Sequence, residues 1–311
     1  MLGPLFLTAA VSIVFGAQSP PVWLRWTGQL IVASAVALNL GPAAVQGIVT
    51  NIVPMLTSAA AIILFSGMMA RFLCRRGGVD SATALFATLP GGPVEMANLA
   101  NRYDGNANLV ALSQTLRVAA IVIFVPPLLI ILGYQFEDIA RRTVTIELPG
   151  LTLVAASALI PSIILNRMRI ANSFFIGPLM GVGIVATIGL PVAQIPGNVI
   201  AAAQIFLGVS LGSMFEPKLL ISAWGFLGRA LIISGLLVTF GLILGFLFSK
   251  VLQQNLGLMI LSNAPGSVAE MAISARSISL NATIVSAYHL TRIFFIVPFA
   301  VYIYEFFRKI S

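Results

Sequence analysis

The chain has 311 residues, of which 59% are apolar and 8% charged, with a formal net charge of +8. A soluble domain carries roughly 25% charged residues, so in water this chain would present one continuous apolar surface, and a water-soluble fold is excluded. The positive charge is not a nucleic-acid footprint, because the basic residues stand singly or in pairs at the ends of apolar stretches, where they report orientation in a membrane.

Apolar stretches at 4–18, 26–46 and 50–70 predict the first membrane helices, since about 20 apolar residues cross a hydrocarbon core of about 30 Å. The N-terminus has no basic region ahead of its apolar run, so no cleaved signal peptide is expected. Trp23 and Trp26 read as interfacial anchors. Next comes DSATALFATLPGGPVEMANLANRY, 80–103, too polar and too interrupted for a plain crossing helix. It reads as two short helices joined at Pro90-Gly91-Gly92. Gly92 lets the chain turn, and Pro93 suits the first position of the second short helix. Such backbone is tolerated at membrane depth only where it is buried in protein or lines a wet cavity. The stretch 107–134 follows, with Asn106 as its cap and Gln114 and Arg117 inside it.

The segment QFEDIARRTVTI, 135–146, is the most polar in the chain, and Glu137, Asp138, Arg141 and Arg142 read there as a solvated face. Apolar stretches resume at 147–166, 171–191, 197–215 and 230–249. Gly208 with Gly212 and Gly241 with Gly245 are spaced for close helix packing, a homodimer contact being the alternative. A second break, APGSVAEM, occupies 264–271, where Ser267 and Glu270 have the spacing of a capping box. The last stretch, 281–304, carries His289 and Arg292.

The two breaks are 175 positions apart, and that offset extends beyond them. Pro90, Gly91, Glu95, Met96 and Arg117 correspond to Pro265, Gly266, Glu270, Met271 and Arg292. Asn106 corresponds to Asn281, and Gln114 to His289. A match in register over so long a span predicts a tandem duplication: a first membrane repeat at 1–134, a polar linker plus connecting helix at 135–174, a second repeat at 175–305 and a tail at 306–311. The expected fold is all-α, a polytopic transmembrane protein of about nine to eleven segments with one broken or re-entrant helix in each repeat. Counting loop Lys and Arg gives ten against four if the breaks are re-entrant and nine against five if they cross. That bias favours re-entrant hairpins and inverted repeats.

Paired discontinuous helices at matching places in two halves point to a transporter's central site. The N-terminus of each second short helix offers free N–H groups and about half a positive charge to an anion. Arginines at membrane depth mark a pathway or a buried partner. Pro90, Gly91, Gly92, Glu95, Arg117, Pro265, Gly266, Ser267, Glu270 and Arg292 are therefore the candidate solute-binding residues. The plainer reading makes both glutamates helix caps and both arginines their counter-ions or ligands of buried carbonyls. Gln114 and His289, one turn before their arginines, are candidates for a proton relay or for simple packing. Cys74 is the only cysteine and His289 the only histidine, which argues against a disulfide or a metal site built on those residues.

LPGGPVEMANLA followed by SQTLR, and APGSVAEMAISA followed by YHLTR, resemble the doubled motif of the bacterial AbrB family of membrane proteins. The resemblance covers nearly the whole chain. It implies a multi-pass inner-membrane protein with a duplicated domain; family members usually have a further helix before the Gly-Pro that here lies at residues 3–4, so by that comparison the chain is short at its N-terminus. Family labels speak of ammonia monooxygenase or of gene regulation. The residues instead favour a secondary transporter or permease for a small anionic or zwitterionic organic solute, coupled to an ion gradient because no Walker loop is present. No enzyme activity, cofactor or nucleic-acid partner is expected, and the partners are the solute and the lipid bilayer. An indirect regulatory or scaffold role is the first alternative, and the monooxygenase the last, since one histidine makes a thin ligand set.

Overall fold

The computed structural model describes residues 2–15, 20–38, 42–135, 148–170, 172–213 and 224–310. The polar linker face at 137–142 lies outside them. Fourteen helices and no strand occur among the described residues. Four are long and apolar enough to cross a membrane, namely Ile52–Arg76, Ala107–Ile131, Pro149–Arg167 and Gly225–Leu252. The fold is that of a polytopic transmembrane helical protein. Outward-facing side chains such as Leu64, Phe124, Ile131 and Val251 are large, apolar and exposed, as a surface facing lipid requires.

The first half contains α1 (Leu2–Phe15), α2 (Val22–Ala37), α3 (Pro42–Thr50), α4 (Ile52–Gly77), the short pair α5 (Ser81–Thr88) and α6 (Pro93–Arg102), and α7 (Ala107–Ile131). The second contains α8 (Leu148–Arg167), α9 (Ser173–Thr187), α10 (Gly197–Gly212), α11 (Trp224–Leu252), the short pair α12 (Leu256–Asn263) and α13 (Val268–Ser277), and α14 (Ala282–Ile310). The uninterrupted apolar run 26–46 is not one helix. It divides between α2 and α3, and Pro42 begins the second piece, because proline supplies no N–H to a preceding turn. Trp23 and Trp26 are exposed on α2, and Trp26 stacks on Phe174 with ring centroids 4.5 Å apart.

Both short pairs fold back as helical hairpins, as their hydrogen bonds show. Thr83 near the start of α5 accepts the Asn106 N–H just before α7 at 2.6 Å, and Ser113 donates to the Ala87 carbonyl further along. So α5 and α7 run side by side in the same direction, and α6 must travel back between them. In the second pair Tyr288, His289 and Arg292 of α14 meet Met259, Leu261 and Ala264 in the same ascending order, so α13 returns likewise. Tyr134, beyond the end of α7, donates to Asn255 and accepts the Gly257 N–H at the start of α12. One hairpin therefore enters beside the beginning of α7 and the other beside its end.

Each hairpin is packed by the far half of the other half's long helix. Phe86 stacks with Tyr304 near the end of α14 and Tyr103 packs against the same ring at a tilt, while Ile121, Val125 and Leu129 of α7 join the core around α12 and α13. A glycine stripe lets α11 approach α12. A Cβ at Gly241 would stand 2.7 Å from the Asn263 carbonyl oxygen, and one at Gly245 would stand 2.8 Å from the Ile260 Cα. The predicted use of that stripe for packing is what is found.

Candidate functional site

The two breaks face one cavity. Pro90, Gly91, Gly92 and Pro93 line it from the first hairpin, and Gly266, Ser267, Val268 and Glu270 from the second. Arg292 closes one wall from α14, and Arg25 and Gln29 another from α2. The cavity itself has a volume of about 70 Å³, well below the roughly 300–1,000 Å³ of drug-sized ligand sites, and has room for a solute of only a few heavy atoms.

Local structure at the two breaks is nearly the same. Gly92 caps α6 at φ −74°, ψ 143°, and Ser267 caps α13 at φ −79°, ψ 148°. Gly92 is thus in ordinary extended backbone rather than in a turn that needs glycine, and the serine in the second hairpin costs no conformational freedom. Pro93 stands at the start of α6 as predicted. The capping box is only half formed: Ser267 has the cap backbone, but its hydroxyl makes no cap hydrogen bond. The glycine ahead of it carries the steric constraint. Met96 packs over Gly91 and Met271 over Gly266, so that a Cβ would lie 2.6 Å and 3.2 Å from those side chains respectively. The Pro-Gly and Glu-Met parts of the motif are therefore one packing unit, with Met96 and Met271 fully buried.

Beneath the tips sit the arginines, Arg117 1% and Arg292 2% exposed. Arg117 donates through Nε to the Pro265 carbonyl and through Nη1 to the Thr88 carbonyl, both at 3.1 Å, and through Nη2 to Gln114 Oε1. It ties the tip of one hairpin to the tip of the other. Gln114 is fixed in turn by the Phe86 and Leu89 carbonyls at 2.6 and 2.7 Å. Arg292 binds only its own hairpin, the Ala264 carbonyl at 3.3 Å and the Gly266 carbonyl at 3.0 Å, plus His289 Nδ1 at 2.9 Å. Because arginine only donates, His289 Nδ1 is an acceptor and its Nε2 proton faces the Leu261 carbonyl at 2.9 Å. Both arginines are held by neutral acceptors, the reading in which they bind buried carbonyls.

Two polar atoms of the cavity residues are left over. Glu270, 7% exposed, has Oε2 without a hydrogen-bond partner, and Arg292 has Nε without one. A buried unpaired polar atom costs about 1–3 kcal/mol, more where it belongs to a charged group. Both atoms are buried within residues that line the cavity, an acceptor and a donor that an occupant reaching them would complete.

Of the residues singled out from sequence, Pro90, Gly91, Gly92, Gly266, Ser267, Glu270 and Arg292 line the cavity. Pro265 meets it indirectly, as the acceptor for Arg117, while Arg117, Gln114 and His289 form the buried brace behind it. The Glu95 side chain lies outside the described residues. Asn106 and Asn281 are caps, each accepting two backbone N–H groups at 3.1–3.2 Å. Sequence reasoning missed Arg25, Gln29 and Asn172 as lining residues. Arg25 sits between two tryptophans and reads as an interfacial charge, and only the docking of α2 against the hairpins brings it inward.

Comparison with known proteins gives one family and two relatives. Residues 1–308 match the family model described as transition state regulatory protein AbrB. The chain is 22% identical to "Uncharacterized protein YhjN" of Bacillus subtilis across 96% of its own length and 84% of that protein. It is 21% identical to "Putative regulator AbrB" of Escherichia coli across 94% of its length and 85% of that protein.

Proposed function

The chain belongs to the AbrB family, and on that premise we propose that it is a secondary transporter of a bacterial inner membrane, carrying a small anionic or zwitterionic organic solute and driven by an ion gradient. The observation that carries this reading is the meeting of two re-entrant hairpins at one cavity with unmet polar atoms. Re-entrant tips supply helix N-termini without exposing free backbone to lipid. Their entry beside opposite ends of α7 fits inverted repeats, whose alternating access is largely one repeat rocking against the other around a fixed site.

The two arginines suggest how the states differ. Arg117 Nε now holds the Pro265 carbonyl of the opposite hairpin, while the corresponding Arg292 Nε is unpaired. In the opposite state the roles exchange: Arg292 Nε takes the Pro90 carbonyl, and Arg117 returns to its own hairpin at Gly91. The cavity then opens to the other side.

The family description and the name of the E. coli relative speak of regulation of those proteins. For this chain regulation is the second reading, and its natural form is indirect, through altered solute levels. Vesicles reconstituted with the full chain separate the readings, using labelled small carboxylates, amino acids and amines as probes. A carrier accumulates its solute only while an ion gradient stands and shows counterflow when the same solute is loaded inside. Flux that ignores the gradient and lacks counterflow would replace the carrier by a channel, and no flux of any probe would leave regulation.

A further inference from the structure

We infer that the solute is a zwitterion, a molecule with an N–H-bearing ammonium and a carboxylate, whose ammonium is received by Glu270 and whose carboxylate is received by Arg292 and the N-terminus of α13. The inference rests on the transporter reading of this cavity and narrows it from anions in general to amino-acid-like solutes.

Two cavity residues still lack a partner for one polar atom each. Arg292 has spent Nη1 and Nη2 on the Ala264 and Gly266 carbonyls and on His289, and its Nε proton has no acceptor. A carboxylate oxygen satisfies that donor, and the first N–H groups of α13, ten residues long, offer further donors to the same anion. Glu270 lies in the first turn of that helix. Its Oε2 accepts nothing, although the cavity is otherwise rich in donors. A purely anionic solute would complete Arg292 and leave Glu270 as it is, adding a second negative group beside it. A simple amine would complete Glu270 and leave the arginine and the helix end unanswered. Only a molecule with both groups meets both atoms. An ammonium without N–H protons, as in a trimethylated betaine, balances the charge but cannot donate to Oε2, so it is expected to bind less well.

The experiment is thermal unfolding of the detergent-purified full chain with matched probes: glycine, alanine and short ω-amino acids, their des-amino carboxylates, their decarboxylated amines, and glycine betaine. At least one amino acid is expected to stabilise the protein, with its des-amino and decarboxylated counterparts binding more than tenfold more weakly. Glu270→Gln should weaken that amino acid more than tenfold while the des-amino acid binds more tightly, because the carboxylate beside it is gone, a reversal of preference that a merely misfolded variant would not show. Arg292→Lys, which keeps a charge but removes the Nε donor, should weaken amino acid and des-amino acid together. Equal binding of the carboxylate alone, binding of the amine alone, or no shift with any amino acid would overturn the zwitterion assignment. If a plain carboxylate is bound and carried, the transporter reading stands without this one. If an amino acid is bound but never crosses a vesicle membrane, the site stands and transport falls.

Discussion

Arg117 and Arg292 follow Gln114 and His289 at the same spacing, in helices that begin at matching asparagine caps. Yet Arg117 bridges the two hairpins, while Arg292 embraces only its own and keeps one donor unpaired. Local sequence prepares both to do the same thing. What separates them is which hairpin tip happens to lie in reach, a property of how the halves are docked.

The sharpest way to break the comparison is to remove the bridge. Arg117→Leu leaves the Thr88 and Pro265 carbonyls and Gln114 Oε1 without their donor, and a loss of about 3–5 kcal/mol is expected from breaking so buried a charged cluster. It should appear as a large drop in the unfolding midpoint in detergent. Arg292→Leu also strands three acceptors, but none in the opposite hairpin, so the two hairpins stay tied and its stability loss should be smaller while solute binding disappears. An equal loss of stability in the two variants would refute the difference in roles. Next come the glycines. Gly91→Ala drives a Cβ to 2.6–2.8 Å from Met96 and should cost about 1–3 kcal/mol. Gly266→Ala meets Met271 and Ile121 at 3.2–3.4 Å and should cost less. Asn106→Ala and Asn281→Ala remove equivalent caps and should each cost about 0.5–2 kcal/mol, alike in both halves. Gly92→Ser should change stability by no more than about 0.5 kcal/mol, since Ser267 already occupies the same backbone conformation.

How much of this was legible depends on the range of the interaction involved. The short helices, the Pro93 start, the asparagine caps and the depth of both arginines follow from residues within a few positions of one another, and the sequence carries them openly. The motif pairing of Gly91 with Met96 spans five positions and was visible as a pattern, though its steric reason was not. Arg25 stands between Trp23 and Trp26, which describe an interface, and no local signal says that α2 leans its other face onto Glu270's cavity. The division of 26–46 into α2 and α3 was missed because Pro42 sits in a continuous apolar run, where hydropathy drowns the breaker signal.

By itself the sequence determined that this is a helical membrane protein with two broken, charge-bearing elements, because in a bilayer the backbone must bond within its own helix and every interruption must be sheltered. Only the tertiary structure decided that those elements turn back, that they enter from opposite ends of α7, and that their tips share a cavity with Glu270 and Arg292. Direction and meeting place are set by contacts between residues far apart in the chain, such as Arg117 with Pro265, 148 positions away, and no local preference encodes which of two equally apolar neighbours a hairpin will find.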